Sequence, residues 1–383
     1  MNKFVLLSSV LPPVIFQSRI DAGDIINPSH QLYVSRWIQS LAKQTPIQII
    51  CLPPSTTSKA VRWHPELIHR ENQQVYVQFA HPNQRYLKAL WLSWATHRYL
   101  KNLLKIKTDL IYLFVDGNSG LAAHFAKRYR HHPRIRTIGI FTDSPEQLTG
   151  VSKQKAKQWR KLHRHHFAYI GITETLLQLF NPQQKPQLVI PGIVEPAIGA
   201  KQNPRPYLFF SGALYNRYGI EALLKGFLQL NHPNLDLLIA GFGPEASMIE
   251  QLSQQHRHIK YLGLLSPLQV RKYQAGAYVN VNPRPLDAQL DAVAIPSKVL
   301  DYIASGAPTL TTRHPFFESY FPQSLQWIED ASEDGIRVSL KRFLSLDYSL
   351  VQTQAMKAKT IAIEQFGIEN TGQRLWRWIN SLK

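Results

Sequence analysis

The chain has 383 residues, enough for two domains of ordinary size, and its 44% hydrophobic and 11% aromatic content excludes a disordered protein. Lys and Arg outnumber Asp and Glu by 44 to 25, a formal charge of +19, so a polyanionic partner is expected, either nucleic acid or an anionic lipid surface. The single cysteine, Cys51, excludes an internal disulfide and a cysteine-based zinc site and fits a reducing compartment.

The first apolar run, 4–7, is too short for the core of a signal peptide and suits a buried parallel strand. No later stretch approaches the roughly 18 apolar residues of a membrane span, so a soluble or peripheral protein is expected. Further runs at 47–52, 110–115, 137–141, 169–172 and 188–190 alternate with helical patterns, the order of a doubly wound α/β sheet. Ligands of such sheets lie beyond the carboxyl ends of the strands. Asp116, Asp143 of Thr142-Asp143-Ser144-Pro145 and Glu174 of Ile172-Thr173-Glu174-Thr175 fall there. Each reads either as an acceptor-side polar group or as a turn residue before a helix.

Between 85 and 107, Leu87, Leu90, Trp91, Trp94 and Tyr99 are mixed with Arg and Lys. The pattern suits a helix lying on an anionic bilayer and equally a core helix with a basic outer face. His131, His132, His163, His165 and His166 sit in cationic stretches without a nearby carboxylate or cysteine. They read as a solvated, anion-facing surface rather than as metal ligands.

After the polar stretch 200–206 the order restarts, with runs at 207–210, 235–240, 259–262, 278–281 and 309–312. The expected division is therefore an N-terminal Rossmann-like domain at 1–200, a second at 201–366, and a C-terminal helix in 367–383 packing back on the first. That helix carries Leu375, Trp376, Trp378 and Ile379 at helical spacing.

Three strands of the second half run into glycine turns at Gly212, Gly241 and Gly263-Leu264, and Arg217 stands near the start of the helix after the first. Glycines let a backbone approach a ligand, and an arginine can grip a diphosphate with two bonds. Asn282 and Arg284 occupy an Asn-Pro-Arg-Pro turn. Pro296-Ser297-Lys298 then opens a helix, with Ser297 expected as its cap, Asp301 one turn on and Gly306 ending it. The free N–H groups of its first turn and the Lys298 charge would suit a diphosphate. Taken singly, each of these features is also an ordinary turn, cap or surface charge.

Read in order, SGALYNRYGIEALLKGF, LLIAGFGPEASMIEQL, IKYLGLLSPLQVRKY, VNVNPRP and IPSKVLDYIASGAPTLTT resemble the donor-binding half of a family-4 glycosyltransferase of the GT-B type. The likeness is to bacterial enzymes of exopolysaccharide and capsule assembly. INPSHQL, TDSP, ITETLLQLFNP and VIPGIVE are similar to the acceptor half. The resemblance implies two facing Rossmann-like domains with a deep cleft and a retaining, metal-independent hexosyl transfer from a nucleotide-sugar. The acceptor would be a lipid-linked glycan or polysaccharide. It puts Arg217 and Lys298 on the donor diphosphate, with Ser297, Gly212 and Gly241 supporting it. Asp301 would bind the ribose, Gly263 and Leu264 the base, and Asn282 and Arg284 would line the cleft. No cofactor, metal or nucleic acid is implied beyond the nucleotide-sugar as co-substrate. A cytoplasmic protein, peripheral on the anionic inner face of the cell membrane, is expected.

The chain departs from the resembled pattern at Val293, where many relatives carry a sugar-binding glutamate, so sugar recognition must be built differently, with Asp287, Asp291 and Asn282 as the candidates. Ala213 and Tyr218 replace the usual Arg and Lys, and Asp116 stands about where relatives often have a histidine. A nucleotide-sugar epimerase and a non-catalytic GT-B-like partner subunit are the alternatives.

Overall fold

The computed structural model describes residues 2–21, 28–53, 61–106, 109–147, 151–201 and 203–382. Ile26 and Asn27 of the INPSHQL stretch, Lys107 and Gln202 lie outside the described residues. Two compact units result.

The first comprises Met1–Ile193, Ala292–Ala294 and Ile368–Lys383. Its strands are β1 (Lys3–Ser8), β2 (Ile47–Cys51), β3 (Trp63–His64), β4 (Leu67–Glu71), β5 (Gln74–Gln78), β6 (His81–Pro82), β7 (Ile111–Asp116), β8 (Ile135–Phe141), β9 (Ala168–Gly171) and β10 (Gln187–Val189). Apart from the short β3–β6 pair they form one sheet, β10-β9-β8-β7-β1-β2-β5-β4, parallel except that β4 runs against β5. Strand order reverses between β1 and β7, so Ser8 and Asp116 end the two strands at the switch point where such sheets bind ligands.

The second unit comprises Val194–Asp291 and Ile295–Gly367. Its strands β11 (Tyr207–Ala213), β12 (Asp236–Phe242), β13 (Ile259–Tyr261), β14 (Val279–Asn282), β15 (Thr309–Thr312) and β16 (Gln326–Ile328) form a parallel sheet in the order β13-β12-β11-β14-β15-β16. Here the switch point lies between β11 and β14. The units divide at Ile193/Val194 rather than at 200, because the Val194 N–H donates to the Phe366 carbonyl at 2.8 Å and Val194 bridges to Gly367.

The strands form where apolar runs can be buried on both faces. Along β1, Phe4 and Leu6 pack with Trp37, Ile38 and Phe114, while Val5 and Leu7 face Leu92, Leu100 and Phe125. Each such side chain contributes roughly 1.5–3 kcal/mol on burial. Helix Arg85–Lys105 supplies Leu92, Leu100 and Leu103 to this core and leaves Tyr86, Leu87, Leu90, Trp91 and Trp94 exposed. It therefore packs as a core helix, but among the described side chains its outer face starts apolar and aromatic and turns basic from Arg98 onward. Helix Ile368–Ser381 places Leu375 and Ile379 among Trp37, Ile38 and Leu41 of the first unit. Gly372 permits that packing, because a Cβ there would lie 2.2 Å from the Ser40 carbonyl oxygen.

At the carboxyl ends of β11 and β12, Gly212 pairs with Gly241, whose φ is +145°. A Cβ on Gly241 would stand 1.8 Å from the Gly212 carbonyl oxygen. Gly241→Ala therefore combines an unfavourable backbone conformation with a collision against backbone, and should destabilise the protein by about 3 kcal/mol or more. A urea midpoint matching that of the unaltered protein would contradict this.

Candidate functional site

β11 and β14 pair only through Leu208–Val279 and Phe209–Asn280, so the strands part before their carboxyl ends. Helix Ser297–Ser305 starts at this gap. Pro296 occupies the cap position and Ser297 is the first helical residue, with no side-chain cap bond. The expected Ser297 cap is thus corrected: the proline takes the cap position with φ −64° and ψ 86°, and the Ser297 side chain is exposed. Tyr302 fastens the helix to β11, its hydroxyl accepting from the Ser211 N–H at 2.8 Å and lying 3.2 Å from the Ser211 carbonyl oxygen.

Lys298 is the unusual group. Its stem is partly exposed, but its Nζ is sealed from solvent and has no hydrogen-bond partner. The ammonium lies 4.1 Å from the centre of the Phe210 ring and 3.2 Å from where a Cβ on Gly212 would stand. Burial, and then the charge of Arg284, push its pKa down to about 7. Gly212, at φ +143°, gives the nitrogen room that a side chain would take.

Arg217 is exposed, its guanidinium 5.2 Å from the Tyr215 ring centre and 5.0 Å from that of Tyr218. The Lys298 Nζ lies 5.9 Å from the same Tyr218 ring. Tyr218 is therefore the ring both cations share. Gly263 accepts a bond from the Gly241 N–H at 2.8 Å through its carbonyl, the following Leu264 is exposed, and Asp301 is partly exposed one turn into the 297–305 helix.

Asn282 and Arg284, expected in a cleft-facing loop, are both buried, and Asn282 belongs to a strand. Asn282 is buried at the end of β14, its Nδ2 donating to Thr311 Oγ1 at 3.0 Å while its Oδ1 has no partner. Arg284 is buried against Asp291 at 2.5 Å, with those side chains 9% and 8% exposed. A buried guanidinium requires such a partner. Asp291 is thereby committed to Arg284, and Asp287 caps the short helix Ala288–Val293 by accepting from the N–H groups of Gln289 and Leu290. Val293 is buried beside Phe141, Leu176 and Phe180 within the first unit, an environment that would penalise the glutamate common in relatives.

In the first unit the switch point gathers a polar cluster. Asp116 is 3% exposed and accepts from Ser8 Oγ at 2.6 Å, from the Asn118 N–H at 2.9 Å and from the Ser9 N–H at 3.4 Å. His30 Nε2 lies 2.9 Å from the same carboxylate. The expected direct role of Asp116 on an acceptor is therefore corrected: its oxygens are used in holding His30 and the Asn118 turn. Asn118 Nδ2 fans out to His30 Nδ1 at 3.1 Å, Thr142 Oγ1 at 2.9 Å and Asp143 Oδ2 at 3.0 Å, and Thr142 Oγ1 donates to Asp143 at 2.7 Å. Burial opposes the charged His30, but the Asp116 carboxylate and its hydrogen bond, with Asp143 adding, raise the His30 pKa above its ordinary value. Burial likewise opposes the Asp116 charge, and His30, Ser8 and the Asn118 N–H overcome it to lower the Asp116 pKa.

His30 is the member sequence reasoning missed. Its signal was a histidine two positions into a proline-started helix, Pro28–Ala42, far in sequence from β7. Asp143, partly exposed, joins this cluster, whereas Glu174, exposed at the start of helix Glu174–Phe180, has no hydrogen bond into it. His163 and His166 are not solvated: both are fully buried, with His163 Nδ1 3.0 Å from His166 Nε2. Burial lowers the His163 pKa to about 4 and holds that of His166 well below its ordinary value. Among the described residues no group of His, Cys, Asp and Glu could hold a metal ion, and no helix is long and apolar enough to cross a membrane.

Comparison with solved structures gives full-length likenesses. Sucrose-phosphate synthase from Thermosynechococcus elongatus superposes with a TM-score of 0.69 at 14% identity, covering 100% of this chain and 99% of that one. The catalytic domain of starch synthase IV from Arabidopsis thaliana, bound to ADP and acarbose, gives 0.68 at 12% with 99% of each chain covered. Anabaena HepE in complex with UDP and glucose gives 0.66 at 12%, again covering 99% of each. No curated protein sequence matches significantly. Residues 205–323 match the family described as glycosyl transferases group 1. The chain has the GT-B fold, and the matched segment includes strands β11 to β15 of the second unit.

Proposed function

We propose that the protein is a retaining, metal-independent glycosyltransferase that moves a hexosyl group from a nucleotide-sugar to a lipid-linked or polysaccharide acceptor in cell-surface polysaccharide assembly. The observation that carries this reading is the buried, unpartnered Lys298 ammonium beside Gly212, where β11 and β14 part. A cation that burial disfavours so strongly regains stability only when an anion reaches it, and a leaving diphosphate is such an anion.

In the reaction an acceptor oxygen bonds to the anomeric carbon as the bond from that carbon to the diphosphate breaks on the same face, and the hydroxyl proton passes to the departing diphosphate. No protein nucleophile and no cofactor enters the balance. Lys298, Arg217 and the first-turn N–H groups of the 297–305 helix stabilise the growing negative charge. Ser297, Asp301, Gly263 and Leu264 carry the contacts to phosphate, ribose and base that the family resemblance gives them. On the acceptor side, His30 and Asp143 take the role first given to Asp116, which positions them. Two of the similar structures are complexes with UDP and with ADP, the products of such transfers. Nothing in the matched segment favours the epimerase reading. A lipid-linked acceptor would hold the enzyme at the anionic inner face of a cell membrane.

The test is turnover of UDP-, GDP-, ADP- and dTDP-sugars with membrane vesicles bearing lipid-diphosphate glycans. One donor should be consumed with sugar appearing on lipid, and Arg217→Ala should slow transfer about 10–100-fold. Failure of the unaltered protein to bind or consume any donor would refute the reading.

A further inference from the structure

The density of positive charge in the first unit has a local shape. An open surface cavity of about 720 Å³ is lined mostly from 124–133, with His124, Lys127, Arg128, Arg130 and His131, and by Ser93 of helix Arg85–Lys105. None of its described lining residues is acidic. The lack of counter-charge extends outward, because neither 85–105 nor 120–136 contains an Asp or Glu. Arg128 Nη2 donates to His97 Nε2 at 3.1 Å, which turns the guanidinium toward the 85–105 helix.

That helix brings the second observation. Leu87, Leu90, Trp91 and Trp94 are 54%, 71%, 43% and 55% exposed, and Trp63 packs edge-on against Trp91 at 5.7 Å between ring centres. Large apolar side chains exposed together mark an interaction surface. Farther along, Arg98, Lys101, Asn102 and Lys105 are exposed, three of them cations, and the Arg98 guanidinium lies 5.4 Å from the Trp94 ring centre. Apolar side chains that can enter acyl chains beside cations that can meet phosphates are the two halves of an interfacial helix.

We propose that this cavity binds the phosphate headgroups of anionic lipids while Leu87, Leu90, Trp91 and Trp94 enter the same bilayer. Charge complementarity selects an anionic surface, and the exposed leucines select a bilayer over a nucleic acid, whose bases would use aromatic faces alone. The site belongs to the first unit, Lys298 belongs to the second, and the proposal rests on the peripheral-membrane part of the reading above.

Sedimentation of the full-length protein with vesicles tests it. Phosphatidylglycerol-containing vesicles should be bound and pure phosphatidylcholine vesicles should not. Lys127→Gln, Arg128→Gln and Arg130→Gln combined should weaken binding on the order of 100-fold. An equal loss of charge in the second unit, Lys341→Gln with Lys357→Gln and Lys359→Gln, should change it little. Leu90→Ser with Trp94→Ser should also weaken it. Equal binding to neutral vesicles, or full vesicle binding by the 127/128/130 variant, overturns the proposal. So does a 127/128/130 variant that loses inorganic phosphate or a single-stranded oligonucleotide while keeping the vesicles. Nucleoside diphosphate affinity, measured on the same samples, separates the two readings. Nucleotide binding without vesicle binding sinks the lipid site alone, and vesicle binding without nucleotide binding sinks the transferase alone.

Discussion

Lys298→Met should disable the protein and stabilise it at once. The folded-state pKa of Lys298, about 7, lies far below the ordinary lysine value of 10.5 because burial disfavours the ammonium. The unfolded chain binds the proton more readily, so folding is penalised wherever the unfolded lysine is charged. The penalty is absent above pH 10.5, grows as pH falls toward 7 and is constant below, reaching roughly 5 kcal/mol. Methionine keeps the length of the stem, removes the charge and sits well against Phe210. The ligand-free variant should therefore be about 2–4 kcal/mol more stable at neutral pH. Its stability should also lack the rise between pH 7 and 10 that the lowered Lys298 pKa implies for the unaltered protein. Nucleotide affinity and transfer should both collapse, transfer by about 100–1,000-fold. Denaturation at several pH values with and without nucleoside diphosphate reads both effects. A variant less stable than its parent, or one that still transfers sugar normally, would contradict the role given to Lys298.

Asp116→Ala should show the opposite coupling, with loss of function and loss of stability together. The substitution strips buried donors on Ser8, Asn118 and His30 of their acceptor. Removing one member of a buried charged pair costs about 3–5 kcal/mol. The pH dependence follows from the two shifts. The raised pKa of His30 gives stability that is full below its ordinary value of 6.5 and lost as pH rises through the raised one. The lowered pKa of Asp116 gives stability present above 3.8 and lost as pH falls through the lowered value. Between those limits the pair is strongest, and there the variant should lose most. Transfer should fall while nucleoside diphosphate affinity stays unchanged, because the nucleotide residues lie in the other unit. Parental stability across this window would show that the cluster does not depend on Asp116.

The strands were legible because parallel, twice-buried strands must be nearly continuous apolar runs, and 4–7 and 309–312 fall within or on β1 and β15. The β4–β5 hairpin was not, since β4 has exposed positions along LIHRE and its turn uses Asn72 at φ +50° rather than a glycine. The spacing also put Gly212 at the carboxyl end of a strand and Arg217 and Lys298 near helix starts, and the structure places them there. His30 could not be read from spacing, because its meaning depends on Asp116, 86 residues away. Nor could the commitment of Asp291 to Arg284, because both residue types also suit an open loop. The histidines misled for a related reason: His163 and His166 lie in a cationic stretch yet turn inward beside Phe141.

Residues 368–381 complete the core of the first unit, yet they are made only after the whole second unit has been synthesised. On the ribosome the early half of the chain must therefore wait, with the surface that receives Leu375 and Ile379 uncovered, while more than a hundred and fifty residues of the second unit, Val194–Asp291 and Ile295–Gly367, emerge and fold. A chain stopped before residue 368 would leave Trp37, Ile38 and Leu41 of helix Pro28–Ala42 without the Leu375 and Ile379 that cover them, an apolar surface open to chaperones.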